Sequence, residues 1–265
     1  MTINQIKEIE AAKHRLAGKE LAGLDLARAD LSGGDLSEAD LSDTNLQDAN
    51  LRGAVLYRAR LRQARLNQAD LAGADLTEAN VSGATLEGAN LEGSCLEGAD
   101  FRESILDQAT LTGTDLTGGY FTRARLAGAC LHGADMKAAD LRQADFSGAD
   151  LSGADLRYAR LDEAILREAR LTDADLDHAS LVSARLNQAL CRGADFQSAR
   201  LEEADLEGAD LRGANLWDSS GLGCRQLEKA RIDRDTSLPD HLEILWPEAG
   251  DEWTCREQPP SKGES

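Results

Sequence analysis

The chain has 265 residues, with 29 Lys+Arg against 48 Asp+Glu, a formal net charge of −19 and only 4% aromatic residues. So few aromatics exclude an ordinary globular core of this size, and the acidic balance disfavours direct nucleic-acid binding. No apolar run approaches the ~18 residues of a membrane span. Lys7, Glu8 and Glu10 stand where a signal peptide would be apolar, so a cytoplasmic protein with no membrane partner is expected.

Residues 1–15 do not repeat. Thr2 and Gln5 have the spacing of a capping box, and Ile3, Ile6 and Ile9 recur at helical spacing, which predicts a short helix covering the open end of the repetitive region beyond it. An uncovered strand edge would invite aggregation.

From Leu16 to Leu216 a bulky apolar residue falls on every fifth position without a slip. Of the 40 positions between Leu21 and Leu216, 33 are Leu, and the rest are Val81, Phe101, Phe121, Met136, Phe146, Cys191 and Phe196. Two residues before each stands a small one, usually Ala; the exceptions are Lys19, Leu24, Gly34, Thr44, Ser94, Ser104, Thr114 and Gly119. A period of five fits neither a helix nor one long strand. It fits a chain that turns a corner every five residues, with the apolar residue pointing inward from each side. Gly recurs every 20 residues (Gly33, Gly53, Gly73, Gly93, Gly113, Gly133, Gly153, Gly193, Gly213, with Asp173 in the gap), as expected for corners of positive φ. Four sides per coil follow, in about ten coils and roughly 48 Å of rod. Phe101 and Phe121 fall on one side in successive coils and should stack. No Pro and no insertion interrupts the rod, so recognition should use a flat side or an end.

The unit A-(D/N)-L-x-x, as in Ala134-Asp135-Met136 or Ala149-Asp150-Leu151-Ser152-Gly153, resembles the pentapeptide-repeat family over about 200 residues. The resemblance implies an all-β fold, a right-handed quadrilateral parallel β-helix, and it implies a non-catalytic protein.

Charge is uneven over the sides. Directly before the central residue of one side the column reads Asp35, Val55, Asp75, Cys95, Asp115, Asp135, Asp155, Asp175, Asp195, Asn215. Five aspartates (Asp115, Asp135, Asp155, Asp175, Asp195) are thus expected in consecutive coils as a binding surface for a protein partner. A second reading is structural: Asp or Asn at this place belongs to the repeat motif and can bond a corner N–H. A third is a cation ladder, although the calcium-binding G-G-x-G-x-D pattern is missing. The rod would carry about one charge per 3 Å, against one per ~1.7 Å for duplex DNA. Some family members are understood to mimic DNA and protect DNA gyrase from quinolones; that is the alternative function, weakened because this chain lacks the loops of the resistance proteins.

After Leu216 the pattern stops. Residues 221–246 read as a C-terminal cap with a short helix at Gly221–Ala230, and Arg231–Pro239 is similar to the closing segment of many family members. Leu238, Leu242, Ile244, Leu245 and Trp246 are apolar enough to cover the last coil. In resistance members of the family this end makes the dimer contact, so a homodimer through Trp217, Leu238, Leu242, Leu245 and Trp246 is an expectation. Residues 247–265, with Pro247, Pro259, Pro260 and many charges, read as a disordered tail.

The five cysteines (Cys95, Cys130, Cys191, Cys224, Cys255) lack metal-ligand spacing and read as incidental or core residues. His14, His132, His178 and His241 are scattered, with His132 and His178 outward and solvated. No phosphate loop, nucleophile elbow or H-E-x-x-H is present. No enzyme activity, cofactor or metal is expected.

Overall fold

A computed structural model describes residues 3–247 and 253–258. Helix α1 (Ile3–Ala11) and a 3-10 turn (Lys13–Arg15) precede the repeat, and after it come the short helix α2 (Cys224–Leu227) and an antiparallel pair of strands, β1 (Leu242–Leu245) and β2 (Thr254–Glu257). Thr2 of the expected capping box lies outside the described residues.

Between them the backbone pairs in parallel with itself at an offset of 20 residues, from Glu20↔Asp40 to Arg200↔Ser220. The repeat is therefore a four-sided β-helix, and its core is the periodic column. The central residues and the small residues before them are almost all buried, from Leu16 to Leu216.

The motif follows from where the five amides of one repeat go. Around Leu131, the Leu131 N–H donates to the Asp150 carbonyl of the next coil (2.7 Å) and Gly133 N–H to that of Ser152 (3.0 Å). Asp135 N–H donates back to Thr114 (2.9 Å), and Ala134 N–H closes the corner onto Leu131 (3.0 Å). The amide after the central residue finds no backbone carbonyl. An Asp or Asn just before the central residue supplies the missing acceptor, as when Ser152 N–H donates to Asp150 Oδ1 at 3.0 Å.

The corners correct the sequence reading. Every fifth residue from Gly18 to Asp218 has φ between 53° and 72°, whether Gly, Arg, Glu, Gln or Tyr. Glycine therefore does not single out one corner of four. From Gly18 to Ser198 each such residue has its N–H tied to a backbone carbonyl of the next coil, as Arg28 N–H is to Gln47 (2.9 Å), and this holds the left-handed conformation against its cost of ~1–2 kcal/mol.

The exceptions in the small-residue column have local causes. Gly34 lies under the N-terminal turn, where a Cβ would come 3.1 Å from the Lys13 carbonyl oxygen. Gly119 leaves room for the Phe121 ring, whose edge would stand 2.8 Å from a Cβ there. Thr44, Ser94, Ser104 and Thr114 return their hydroxyls to backbone carbonyls at 2.6–3.2 Å, so these four inward hydroxyls are paired. Phe101 and Phe121 stack with centroids 5.0 Å apart and planes 3° apart.

At the N-terminal end, Ile6, Ile9 and Ala12 pack on the core, Lys13 carbonyl accepts from Asp35 N–H, and Glu10 Oε1 takes the Asp30 amide at 2.8 Å. At the other end the coil continues past Ser220 with altered spacing: Asp210 pairs with Arg231 and Asn215 with Ser237. The Gln226 carboxamide donates to the carbonyls of Leu201 (2.8 Å) and Ala204 (3.1 Å), at Ala204 replacing a next-coil amide of the kind that Ala209 receives from Arg231.

Two expectations fail here. In the tail read as disordered (247–265), residues 254–257 form β2, paired with β1 from Leu242↔Glu257 to Leu245↔Thr254, while 248–252 and 259–265 lie outside the described residues. Cys224 and Cys255, read as incidental, form a disulfide. Composition carries no register for the tail, and metal-ligand spacing says nothing of a bond between the end of the rod and that tail. The C-terminal cap holds the expected short helix, as α2, and adds to it the β1–β2 strand pair.

Candidate interaction surface

The aspartate side is assembled by the parallel pairs Asp115↔Asp135, Asp135↔Asp155, Asp155↔Asp175 and Asp175↔Asp195. All five carboxylates do the same local work. Their Oδ1 atoms accept the N–H of Thr117 (3.0 Å), Lys137 (3.1 Å), Arg157 (3.1 Å), Asp177 (3.0 Å) and Gln197 (2.9 Å). Asn215 closes the column by donating to Asp195 Oδ1 at 2.9 Å. These bonds fix each carboxylate to the backbone, so the ladder is rigid as well as charged.

The column is not purely anionic. Arg157 reaches Asp155 with Nε (2.8 Å) and Nη2, and its Nε lies 3.4 Å from Asp175 Oδ2. The Arg157 guanidinium, helped by the corner amide, holds the Asp155 carboxyl below the usual carboxylate range against the cost of burial, and Asp155 raises Arg157 in turn. Asp140 is lowered the same way by Arg142 on another side. A depressed folded-state value stabilises the fold above the unfolded pKa of ~3.9 and is lost as pH falls through the folded value. We therefore expect the melting temperature to drop below about pH 4, and the drop in Arg157→Gln to be smaller than in wild type. Equal acid profiles by circular dichroism would remove Arg157 as the cause.

Beside this ladder runs the glycine corner. A Cβ at Gly73, Gly93, Gly113, Gly133 or Gly153 would meet nothing within 4 Å, so space does not demand glycine there. Its consequence is a ridge bare of side chains except at Asp173, which leaves the flank of Asp115, Asp135 and Asp155 open. The opposite flank carries Tyr158, 51% exposed, with its ring 5.1 Å from that of His178 in the next coil. His178 also bonds Asp177 at 2.6 Å, so it is not simply solvated. Tyr158 and His178 stand 20 residues apart in one corner column, so the sequence period itself places one ring over the other.

The candidate end residues separate. Trp217 is 50% exposed on the aspartate side. Leu242 is buried, Leu238 and Trp246 pack against the core, and Leu245 is half-buried in β1. The ring of Trp246 lies 6.4 Å from that of Trp253 beside β2.

A four-sided coil with aspartate-closed corners defines a repeat solenoid. Pentapeptide repeats, as a family profile, match residues 20–218 in overlapping copies, and the chain belongs to the pentapeptide-repeat family. It is similar to HetL, a pentapeptide-repeat protein involved in heterocyst differentiation regulation from the cyanobacterium Nostoc sp. strain PCC 7120. The two share 33% identity over 83% of this chain and 96% of HetL, with a TM-score of 0.61. A thylakoid-lumen pentapeptide-repeat protein of Arabidopsis thaliana shares 28% identity over 52% of this chain and 68% of its own, with a TM-score of 0.24. A structure of QnrB1, a plasmid-mediated fluoroquinolone resistance protein, shares 20% identity over 70% of this chain and 89% of its own, with a TM-score of 0.40. Comparison with curated proteins gives no match.

Proposed function

We propose that this chain is a non-catalytic scaffold: about ten right-handed coils that hold a basic protein partner on the aspartate side and, secondarily, at the C-terminal end. The observation that carries the reading is the fixed ladder of Asp115, Asp135, Asp155, Asp175 and Asp195, open on the glycine flank. Like charges ~4.8 Å apart repel by about 0.9 kcal/mol per pair even at water's dielectric, so a cationic partner gains by neutralising them. Similarity to HetL supports a regulatory scaffold over an enzyme. No helix among the described residues is long and apolar enough to cross a membrane, and we place the protein in the cytoplasm.

The test uses a lysine-rich peptide as probe. Wild type should bind it with an affinity that falls steeply with salt, and the variant with all five aspartates changed to Asn should bind at least tenfold more weakly. Equal binding by both proteins sinks the reading. DNA mimicry on gyrase is less well supported, because Arg157 and Lys137 interrupt the charge; a gyrase supercoiling assay with a quinolone, unaffected by the wild-type protein, would dismiss it. A homodimer through the C-terminal end is checked by light scattering, where a monomer at micromolar concentration excludes it.

A further inference from the structure

The Cys224–Cys255 bond joins two segments that little else holds together. Strand β2 is four residues long and pairs only with β1, and three of its side chains (Thr254, Arg256, Glu257) are exposed. Its remaining ties are these: Glu257 Oε1 accepts the Cys224 N–H at 3.1 Å, Gln258 donates its N–H to His241 at 2.8 Å and its Nε2–H to Glu243 at 3.4 Å, and Trp253, which meets Trp246, and Cys255 rest partly buried against the core. An isolated two-stranded pair is marginal in water, so the covalent link is the principal anchor of β2. By contrast β1 is seated independently. Leu242 is buried, Trp246 packs on the core with Arg234 over its ring, and the preceding His241 ring bonds the Leu222 carbonyl at 2.8 Å. Both sulfur-bearing residues are only half-buried and lie at the end of the rod, where a thiolate can approach. The other three cysteines are free: Cys95 and Cys130 lie on the coil sides, and Cys191 is enclosed in the core, where burial pushes its thiol up to about 12.

We propose that Cys224–Cys255 is a thiol-exchange site that clasps β2 over β1, and that a dithiol reductant opens it. One thiolate of the dithiol attacks one sulfur of the bond, forming a mixed disulfide and expelling the other cysteine as a thiolate that takes a proton. The second thiol of the reductant then displaces the first cysteine. The protein gains two electrons and two protons as two thiols, and the reductant leaves as its disulfide. With the clasp open, β2 departs and β1 presents an unpaired strand edge at the C-terminal end, which is the form able to accept a strand from a partner. In a reducing cytoplasm the bond is conditional, so the end of the rod reports thiol status while the coil does not.

Hydrogen exchange by mass spectrometry on the full chain tests this, with and without dithiothreitol, beside the Cys224→Ser/Cys255→Ser double variant without reductant. Amides of 242–245 and 254–257 should exchange at least tenfold faster in the reduced protein and in the double variant, with those of 100–200 unchanged. Unchanged protection of both strands in either case overturns the proposal. So does alkylation showing free thiols at both positions after treatment with oxidised glutathione.

Discussion

Phe121→Ala should lower the unfolding free energy by about 3–5 kcal/mol, the range for deleting a buried aromatic ring. The ring is fully buried and stacked on Phe101. Collapse around the void is restricted because the coils above and below are fixed by their own backbone bonds. The column offers an internal control. Gly119→Ala alone places a Cβ about 2.8 Å from the Phe121 ring and should cost roughly 1–3 kcal/mol through overpacking. In the double variant that Cβ occupies space the ring has vacated, so its cost should fall clearly below the sum of the singles. Urea denaturation of the four proteins measures the coupling, and strict additivity would mean that Gly119 is not there to seat Phe121.

The second large effect separates the two tasks of the aspartate ladder. Changing Asp115, Asp135, Asp155, Asp175 and Asp195 together to Ala removes five acceptors from corner amides that have no other acceptor in the repeat pattern. At ~0.5–1.5 kcal/mol per hydrogen bond, the loss is roughly 3–7 kcal/mol. Changing the same five to Asn keeps an Oδ1 acceptor and relieves the repulsion between rungs. That variant should stay within about 1 kcal/mol of wild type, and it should rise relative to wild type at low salt, where screening is weakest. Denaturant titrations at two salt concentrations give the answer. Similar losses for Ala and Asn would mean that charge, not corner bonding, stabilises the side. The Asn variant therefore tests binding without confusing it with folding.

The rod could be read from residues because its rule is strictly periodic. Leu every fifth position, with Ala two before it, leaves one arrangement that buries both, and Asp135 or Asp150 could be assigned to a corner amide before any coordinates. Three things could not be read. Positive φ at Arg28 or Tyr158 is imposed by bonds to the next coil, which local propensity does not encode. Arg157 lies over the ladder through a long side chain whose direction no periodicity sets. The clasp at Cys224 and Cys255 joins residues separated by 31 positions across a change of architecture, where the repeat offers no register to count from. Gly34 and Gly119 stood out as exceptions, yet the reason for each belongs to a neighbour, Lys13 and Phe121, and not to its own place in the motif.

The offset of 20 between paired residues from Glu20 to Ser220 makes the rod behave like a dial as well as a ruler. A duplication of one repeat would leave every leucine indoors and every corner closed, yet everything beyond it would turn through a quarter revolution. Asp155, Asp175 and Asp195 would then sit around the corner from Asp115 and Asp135. Only gains or losses of whole coils keep a patterned side continuous. Selection on such a surface acts through rotation, not through packing, and small insertions that the core tolerates can still scramble what a partner sees.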